Sequence, residues 1–536
     1  MGRLVRVILS WLRDRRKMLA AYIITGLLIY AEQIVLELPN ADALLNSTIE
    51  KSSFKWELQL GRFMLPLYQM LFGYTISPAL VTILSIFVLS ISSLVITEIL
   101  PFQNNIVRYL AGVFMLASPH VQSLVTYYYC SLAYSISMLY ACLAVLLLVR
   151  KNFRLREGIV AAILYALSLG GYQSYLFTAA TLSVMALILA VIQGETLRNL
   201  WKKFLRLLFS GGAGVILYLV LNKLALLRIH KSNVDDRGFS TMGQIDWKGL
   251  PWRIFLYVYH YNKEYFFGNE LINNSYGIVP RRYLNLIFLM IAAAGILIYL
   301  VWGRDKLGRK LTACLMMVLI PFGTVSLYLC APKLSILETT GSLAASAFFL
   351  VYVFVLSFAD MLRKVVFTKS ICITSWIGKA FRVAIMVASF LVLLMYVHMA
   401  QDGQAYLRYK MNQTKAVAQS VSTDILQAMR EYGTNQVLVE GNPAQGNYDD
   451  RYSDLRDSVH WLVASYGVMW ETSAAQTCFW NMCGDYIGFT YERPDAETCD
   501  KVRTTQEYAV MPCYPEKDSV RLIEGIIVVK LSDNEN

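Results

Sequence analysis

The segment between residues 37 and 62 combines carboxylates with an arginine, a pairing that can accept a proton and hold an anion. It contains Glu37, Asp42, Glu50 and Glu57, followed by Arg62. A carboxylate at a lipid–water boundary can deprotonate an alcohol, while a nearby arginine neutralises a phosphate. By composition alone a hydrated loop is the simpler interpretation, because acidic residues are usually solvated. The residues leave both interpretations open.

No standard signature of a soluble enzyme occurs elsewhere in the chain. The sequence lacks a G-x-x-x-x-G-K-[ST] phosphate loop, a G-x-S-x-G turn, an H-E-x-x-H motif and a Rossmann fingerprint after a strand. The five histidines are scattered, and a lone histidine more often completes a local hydrogen bond than serves catalysis. No cofactor is indicated with certainty. A divalent cation held by outer-loop carboxylates stays possible, because it could stabilise a leaving phosphate.

The composition predicts that a membrane-embedded helical frame positions these residues. Of 536 residues, 56% are hydrophobic and 16% are charged, and the mean hydropathy is +0.46. Soluble proteins carry about 25% charged residues. Apolar runs of about 20 residues, long enough to cross a bilayer, recur through residues 1–400. We predict an all-α polytopic membrane protein with about 11 transmembrane helices, the first at 18–38 and the second at 78–100.

Basic blocks alternate along the chain with less basic connections, and this alternation predicts the topology. The amino terminus, MGRLVRVILSWLRDRRK, holds six Lys or Arg residues. Cytoplasmic loops collect such residues, so we expect a multi-pass protein of the bacterial plasma membrane with a cytoplasmic amino terminus. The net charge of +12 does not indicate nucleic acid, because the blocks lack interleaved aromatic residues. The later blocks lie at residues 150–157, 195–206, 303–310 and 360–382.

The composition changes near residue 401, after the last predicted span. Helical patterning at 421–432 and 454–465 alternates with the strand-like sequences NQVLVEGNP and GIIVVKLS. We therefore expect a transmembrane domain over residues 1–400 and a small extracytoplasmic α/β domain over residues 401–536.

Four of the nine cysteines fall in this second domain. Disulfides form readily outside the cytoplasm, whereas the C-x4-C and C-x13-C spacings fit a zinc site poorly. We predict two disulfides, with zinc as the weaker alternative. The candidates are Cys478, Cys483, Cys499 and Cys513.

A long segment at residues 222–282 is also expected on the outer side. Its aromatic centre predicts a helix at the outer interface. Arg281 and Arg282 at its end could contact a lipid phosphate or anchor the chain at the interface. Three further residues could contact an acceptor or a phosphate, although a solvated loop is the simpler interpretation. They are Asp235, Asp236 and Arg237.

Five short motifs follow one another along the chain. They are PNAD at 39–42, W-x-x-x-x-G-R-x-x-x-P at 56–66, SPH at 118–120, GGYQSY at 170–175, and MPCYPEKDSVRLIEGIIVVKL at 511–531. In this order they resemble the bacterial Gtr type II glucosyltransferases, and the last is similar to the ending of Gram-positive members. These membrane enzymes add glucose side chains to O-antigens and related cell-surface polysaccharides. The resemblance covers almost the whole chain.

The resemblance implies a GT-C architecture and transfer of a hexose from a polyprenyl-phosphate donor to a cell-surface polysaccharide on the outer face. An acidic residue of the first outer loop would be the general base. Many members have Asp-Asp there. This sequence has Asp42 alone, so Asp42 is the first candidate and Glu57 the second. Arg62 of the Gly-Arg motif would bind the donor phosphate, with Arg281 and Arg282 as further candidates. The candidates for the donor or acceptor loop are Tyr172, Gln173, Asp235, Asp236 and Arg237.

Two other functions are compatible with a polytopic chain. A transporter or flippase of a lipid-linked glycan usually has ionisable residues at mid-membrane and often two related halves. The predicted spans nearly lack such charges, and no internal repeat is visible. A structural or receptor-like protein would use only its outer domain. We expect a lipid-linked sugar, a polysaccharide and the bilayer as partners, and no nucleic acid.

Overall fold

Most of the chain has a defined place in the computed structural model of the protein. Glu50, the loop candidates Asp235, Asp236 and Arg237, and the predicted helix at 454–465 lie outside the described residues. The described residues are 10–46, 53–72, 77–234, 246–268, 281–303, 305–329, 345–366, 372–441 and 475–533.

The helices begin where the sequence supplies capping residues. Ser77 accepts a hydrogen bond from the backbone of the first turn, and Pro78 then occupies the first helical position, where no backbone N–H is needed. Ser118 and Pro119 start a helix in the same way. The helices are Arg16–Ile29, Ala31–Leu36, Ala41–Leu45, Ser53–Gln59, Met64–Phe72, Pro78–Ile99, Asn105–Leu116, Pro119–Thr126, Tyr128–Val149, Leu155–Gly171, Tyr175–Ile192, Leu197–Arg228, Leu250–Arg253, Ile254–Tyr261, Asn262–Phe267, Arg281–Trp302, Leu307–Met317, Ile320–Gly323, Ser326–Leu329, Phe349–Val366, Cys372–Tyr432, Ala475–Met482, Cys483–Ile487, Ala496–Arg503 and Gln506–Ala509.

Among the described residues, six helices are long and apolar enough to cross a membrane. The polytopic all-α class is therefore supported, while the count of eleven spans stays a prediction. The predicted first span is divided at Tyr30 into two helices. The Tyr30 hydroxyl donates to the Leu116 carbonyl at 2.7 Å, which holds the break against a neighbouring helix. The six candidate spans are Pro78–Ile99, Tyr128–Val149, Tyr175–Ile192, Leu197–Arg228, Arg281–Trp302 and Trp376–Tyr432.

The helix Tyr128–Val149 lies at the centre of the bundle. It packs against Pro78–Ile99, Leu155–Gly171 and Tyr175–Ile192. Small side chains permit the close approach, since a Cβ atom at Gly171 would overlap the Ser137 side chain. The turn that follows Gly171 is therefore fixed against this central helix.

The aromatic centre of the 222–282 segment is helical, as predicted, and includes a π-helical turn at Ile254–Tyr261. Tyr257 and Tyr261 are buried, whereas Trp252 is exposed. This two-sided character suits a helix at an interface, and its position relative to a bilayer stays a prediction.

The helix Cys372–Tyr432 continues through the predicted domain boundary at residue 401. It has 61 residues, which at 1.5 Å per residue is about 90 Å. The hydrocarbon core of a bilayer is only about 30 Å thick. One continuous element therefore joins the membrane bundle to the carboxyl-terminal region, and the division into two domains stays a prediction.

A small sheet lies in the carboxyl-terminal region, where the sequence predicted strands. Val437–Glu440 pairs in parallel with Ile526–Lys530, and Val520–Ile523 pairs with it antiparallel. The strand order is first, third, second along the chain. The strands predicted from NQVLVEGNP and GIIVVKLS are therefore confirmed.

The predicted disulfides are wrong, because no two of the four cysteines lie at bonding distance. Cys478 and Cys483 lie in the main hydrophobic cluster, which also contains the interior of the helix bundle, and Cys483 Sγ lies 3.4 Å from Ser422 Oγ. Cys499 packs in a second, smaller hydrophobic cluster on the other face of the sheet. Cys513 lies outside both clusters and is half-buried. The sheet keeps Cys499 apart from the first pair, and this separation is invisible in the spacing of the cysteines.

Peptide mapping of protein purified under air should find these four cysteines as thiols. Alkylation in denaturant without reductant should label each one, because no two of the four lie at bonding distance from each other. Reduction before alkylation should not increase the labelling. A linked pair among the four peptides would contradict this arrangement.

Candidate active site

The short helix Ala41–Leu45 positions Asp42 in its first turn, with an exposed side chain. Asn40 fixes this helix and is fully buried. Its Oδ1 accepts from the Ala43 backbone N–H at 2.7 Å, and its Nδ2 donates to Thr126 Oγ1 at 3.1 Å. The PNAD motif therefore works as an N-cap that is anchored on the helix started by the SPH motif.

The carboxyl-terminal region holds the other end of the same helix. The buried Asn481 donates from Nδ2 to the carbonyl oxygens of Leu44 at 2.8 Å and Leu45 at 3.3 Å. The Tyr486 hydroxyl donates to the Glu37 carbonyl at 3.5 Å. The helix that carries Asp42 is therefore fixed from both ends.

Glu57 and Arg62 form an ion pair beside this helix. Arg62 Nη1 lies 3.3 Å from Glu57 Oε2, and the Arg62 backbone N–H donates to the Glu57 carbonyl at 2.9 Å. Burial raises the pKa of the Glu57 carboxyl, Arg62 opposes this rise, and the charge of Asp42 adds to it. Asp42 and Glu57 therefore share one electrostatic environment, although only Asp42 is exposed.

A tight turn at Gly61 positions Arg62. Gly61 has φ +78°, and a Cβ there would lie 2.5 Å from the Tyr218 hydroxyl and 2.9 Å from Gln173 Nε2. Gln173 Nε2 donates to the Leu60 carbonyl at 2.8 Å and to the Tyr218 hydroxyl at 3.1 Å. The Gly-Arg and GGYQSY motifs thus meet in one buried contact.

Two stacked tyrosines lie beside the arginine. The rings of Tyr134 and Tyr172 have centroids 4.6 Å apart. Arg62 Cζ lies 5.6 Å from the Tyr172 centroid and 6.0 Å from that of Tyr134. Such contacts stabilise a cation, so the guanidinium is held by a carboxylate and by aromatic faces together.

Two polar atoms of this cluster are buried without a hydrogen-bond partner in the described part of the chain, namely Arg62 Nε and Gln173 Oε1. Leaving such an atom unpaired costs about 1–3 kcal/mol. A polar ligand that reached either atom would remove its share of that cost. The arrangement can therefore bind an anion or a hydroxyl next to an exposed carboxylate.

Gly61→Ala should destabilise the protein by about 2–5 kcal/mol. A left-handed backbone costs a non-glycine residue roughly 1–2 kcal/mol, and crowding in a packed site costs typically about 1–3 kcal/mol more. The loss should appear as a lower Tm in detergent. Gly211→Ala is the matched control, because a Cβ at helical Gly211 meets nothing within 4 Å. Equal Tm values for the two variants would contradict the turn geometry.

Two other predicted phosphate ligands point in different directions. Arg281 is buried, and its Nη2 donates to the Gly268 carbonyl at 3.1 Å. Arg282 is exposed and donates to the Tyr283 hydroxyl at 3.1 Å. Arg281 thus closes the end of the helix Asn262–Phe267, where a cation is favourable. The structure brings together Asp42, Glu57, Arg62, Tyr172 and Gln173.

Sequence reasoning missed Tyr134, Tyr218 and Asn481, of which Tyr134 lies in the apolar helix Tyr128–Val149. Tyr218 lies in the apolar helix Leu197–Arg228 and is buried, so nothing in its sequence context marked it. Asn481 lies between two cysteines that drew attention to disulfides instead. Among the described residues, no group of three His, Cys, Asp or Glu side chains could hold a metal ion.

Two helices of membrane-spanning length contribute Tyr134 and Tyr218 to a carboxylate–arginine site. This combination is typical of an integral membrane protein with an enzyme-like centre. A family model described as glucosyl transferase GtrII matches residues 46–358, more than half of the chain. The chain belongs to this family, which confirms the resemblance and makes it a glycosyltransferase. The match includes Glu57, Arg62, Tyr172 and Gln173 and begins after Asp42. Comparison with curated proteins and with solved structures gives no significant match.

Proposed function

We propose that the protein transfers a hexose, glucose first among the candidates, from a polyprenyl-phosphate donor to a cell-surface polysaccharide outside the plasma membrane. The observation that carries this proposal is the ion pair of the buried Glu57 with the half-buried Arg62, next to the exposed Asp42. An arginine suits a phosphate, and an exposed carboxylate suits an incoming hydroxyl. The membrane bundle supplies an apolar surface for the prenyl chain.

In this mechanism Asp42 accepts the proton of the acceptor hydroxyl. The acceptor oxygen forms a bond to the anomeric carbon, and the bond from that carbon to the phosphate oxygen breaks. The electron pair leaves with the polyprenyl phosphate. Arg62 stabilises the phosphate charge that develops, which accelerates the reaction because the guanidinium is already in place.

Glu57 acts in this proposal by holding Arg62, and it is the second candidate for the base. Its burial and its ion pair favour the holding role. Tyr172 and Gln173 border the donor phosphate from the GGYQSY turn. Arg282 keeps its guanidinium exposed and is the further candidate for a lipid phosphate, whereas Arg281 caps a helix. Asp235, Asp236 and Arg237 remain candidates for acceptor contact.

Sugar transfer in vesicles tests the proposal. Purified protein in phospholipid vesicles should move radiolabelled glucose from glucosyl polyprenyl phosphate to polysaccharide, and should not use a nucleotide sugar directly. Protein-free vesicles are the control. Transfer from the nucleotide sugar without the lipid carrier would refute the donor class. Movement of the intact lipid-linked sugar across the bilayer without transfer would instead support the flippase alternative.

A further inference from the structure

A basic pocket lies at the end of the bundle where the first membrane helix begins. It has a volume of about 840 Å³ and lies between the start of Arg16–Ile29, the end of Pro78–Ile99 and the start of Asn105–Leu116. The sequence predicts this end to be cytoplasmic. The charged residues that line it are Arg13, Asp14, Arg15, Arg16, Lys17 and Arg108.

One carboxylate fixes two of the five cations. Arg15 binds Glu98 in bidentate fashion, with Nη2 at 2.7 Å from Oε1 and Nε at 3.0 Å from Oε2. Arg108 Nη2 lies 2.7 Å from Glu98 Oε2. Arg15 also lies over the Trp11 ring, 4.9 Å from its centroid. These contacts fix the side chains of Arg15 and Arg108, which form the floor of the pocket.

The other three cations have no such compensation. In the part of the chain that the structure describes, no carboxylate lies at ion-pair distance from Arg13, Arg16 or Lys17. All three are exposed at the pocket, next to one lining carboxylate, Asp14. The pocket therefore carries an excess of positive charge that a multiply hydrogen-bonding anion would neutralise.

The pocket is also apolar on one side, which narrows the chemistry of its ligand. Met18, Ala21, Leu94 and Ile106 line it together with the cations. The Ile106 side chain is 61% exposed. A soluble phosphate would leave this apolar wall in water, whereas a phospholipid places its phosphate among the cations and its acyl chains along the wall. Basic pockets between membrane helices bind anionic lipid headgroups for this reason.

We propose that this pocket binds the headgroup of an anionic phospholipid from the leaflet at this end of the bundle. The lipid phosphate lies among Arg13, Arg16 and Lys17, over the floor formed by Arg15 and Arg108. Occupancy ties the amino-terminal helix to the bundle. This site is separate from the Arg62 site and does not depend on sugar transfer.

Thermal unfolding of the purified full-length protein in detergent tests the site. Added phosphatidylglycerol should raise Tm, because a ligand that binds only the folded state stabilises it. Phosphatidylcholine at the same concentration should not. The triple variant Arg13→Gln, Arg16→Gln, Lys17→Gln should need roughly a hundredfold more phosphatidylglycerol for the same shift, at about one kcal/mol per cation.

A second triple variant removes equal charge from another basic block. Lys151→Gln, Arg154→Gln, Arg156→Gln changes exposed cations outside the pocket and should respond to phosphatidylglycerol like the unmodified protein. Equal loss of response in both triple variants would show general surface attraction and overturn the proposal. An equal Tm shift with glycerol phosphate would assign the pocket to a soluble anion and overturn it too. No shift in the unmodified protein would do the same.

Discussion

Asp42→Asn lowers the turnover number of sugar transfer by roughly 10²–10⁴, the usual contribution of a general base. The amide keeps the size of the side chain but cannot take up the acceptor proton. Folding is unaffected, because Asp42 is exposed and the neighbouring Asn40 keeps its capping hydrogen bonds. The measurement is turnover with saturating lipid-linked donor in vesicles, together with Tm to verify the fold.

Two further variants make this result specific. Asp485→Asn removes another exposed carboxylate, in the carboxyl-terminal segment that packs near the Asp42 helix, and should keep normal turnover. Glu57→Gln decides between the two candidates for the base. Near-normal transfer by Asp42→Asn together with abolished transfer by Glu57→Gln would transfer the role to Glu57. Normal turnover in both Asp42→Asn and Glu57→Gln would show that the loop at residues 37–62 does not supply the general base.

Arg62→Ala lowers kcat/KM for the lipid-linked donor by roughly 10²–10³, as expected when a fixed donor to a developing anion is removed. The turnover number should fall because the developing charge is less stabilised, and the donor KM should rise because the arginine also binds the phosphate of the bound donor. Stability should fall as well, since Glu57 is then buried without its partner. Arg62→Lys keeps the positive charge but lacks the planar guanidinium. Its kcat/KM for the donor should lie between that of the unmodified protein and that of Arg62→Ala.

Lys203→Ala separates loss of an ion pair from loss of donor binding. Lys203 Nζ lies 2.6 Å from Glu195 Oε1, and both side chains are as shielded from solvent as the Arg62 pair. This variant should lose stability and keep the donor KM. If Lys203→Ala and Arg62→Ala raised KM equally, Arg62 would have no particular part in donor binding.

Hydropathy predicted the frame because crossing a bilayer requires long apolar helices. The second predicted span, 78–100, agrees with the helix Pro78–Ile99. The break at Tyr30 was not predictable, since it depends on the Leu116 carbonyl 86 residues away. The strands at 437–440 and 526–530 were predictable from their β-branched residues, but their parallel pairing was not.

The site was predictable where residues act through type and local spacing. Glu57 and Arg62 are five residues apart, so their ion pair follows from the local turn. Gln173 contacts the same turn from 113 residues away, and only the fold brings it there. The cysteine prediction failed for the same reason, because the spacing does not reveal which face of a sheet each residue occupies.

The hydrogen bond from Asn481 to the Leu44 carbonyl joins residues 437 positions apart. A ribosome that adds about 5–20 residues per second needs roughly 20–90 s to cover that distance. During this interval the earlier helices enter the membrane while the end of the Ala41–Leu45 helix still lacks its partner. The carboxylate of Asp42 thus takes up its final surroundings late in translation. In nascent chains shorter than 481 residues the site still lacks the contact from Asn481.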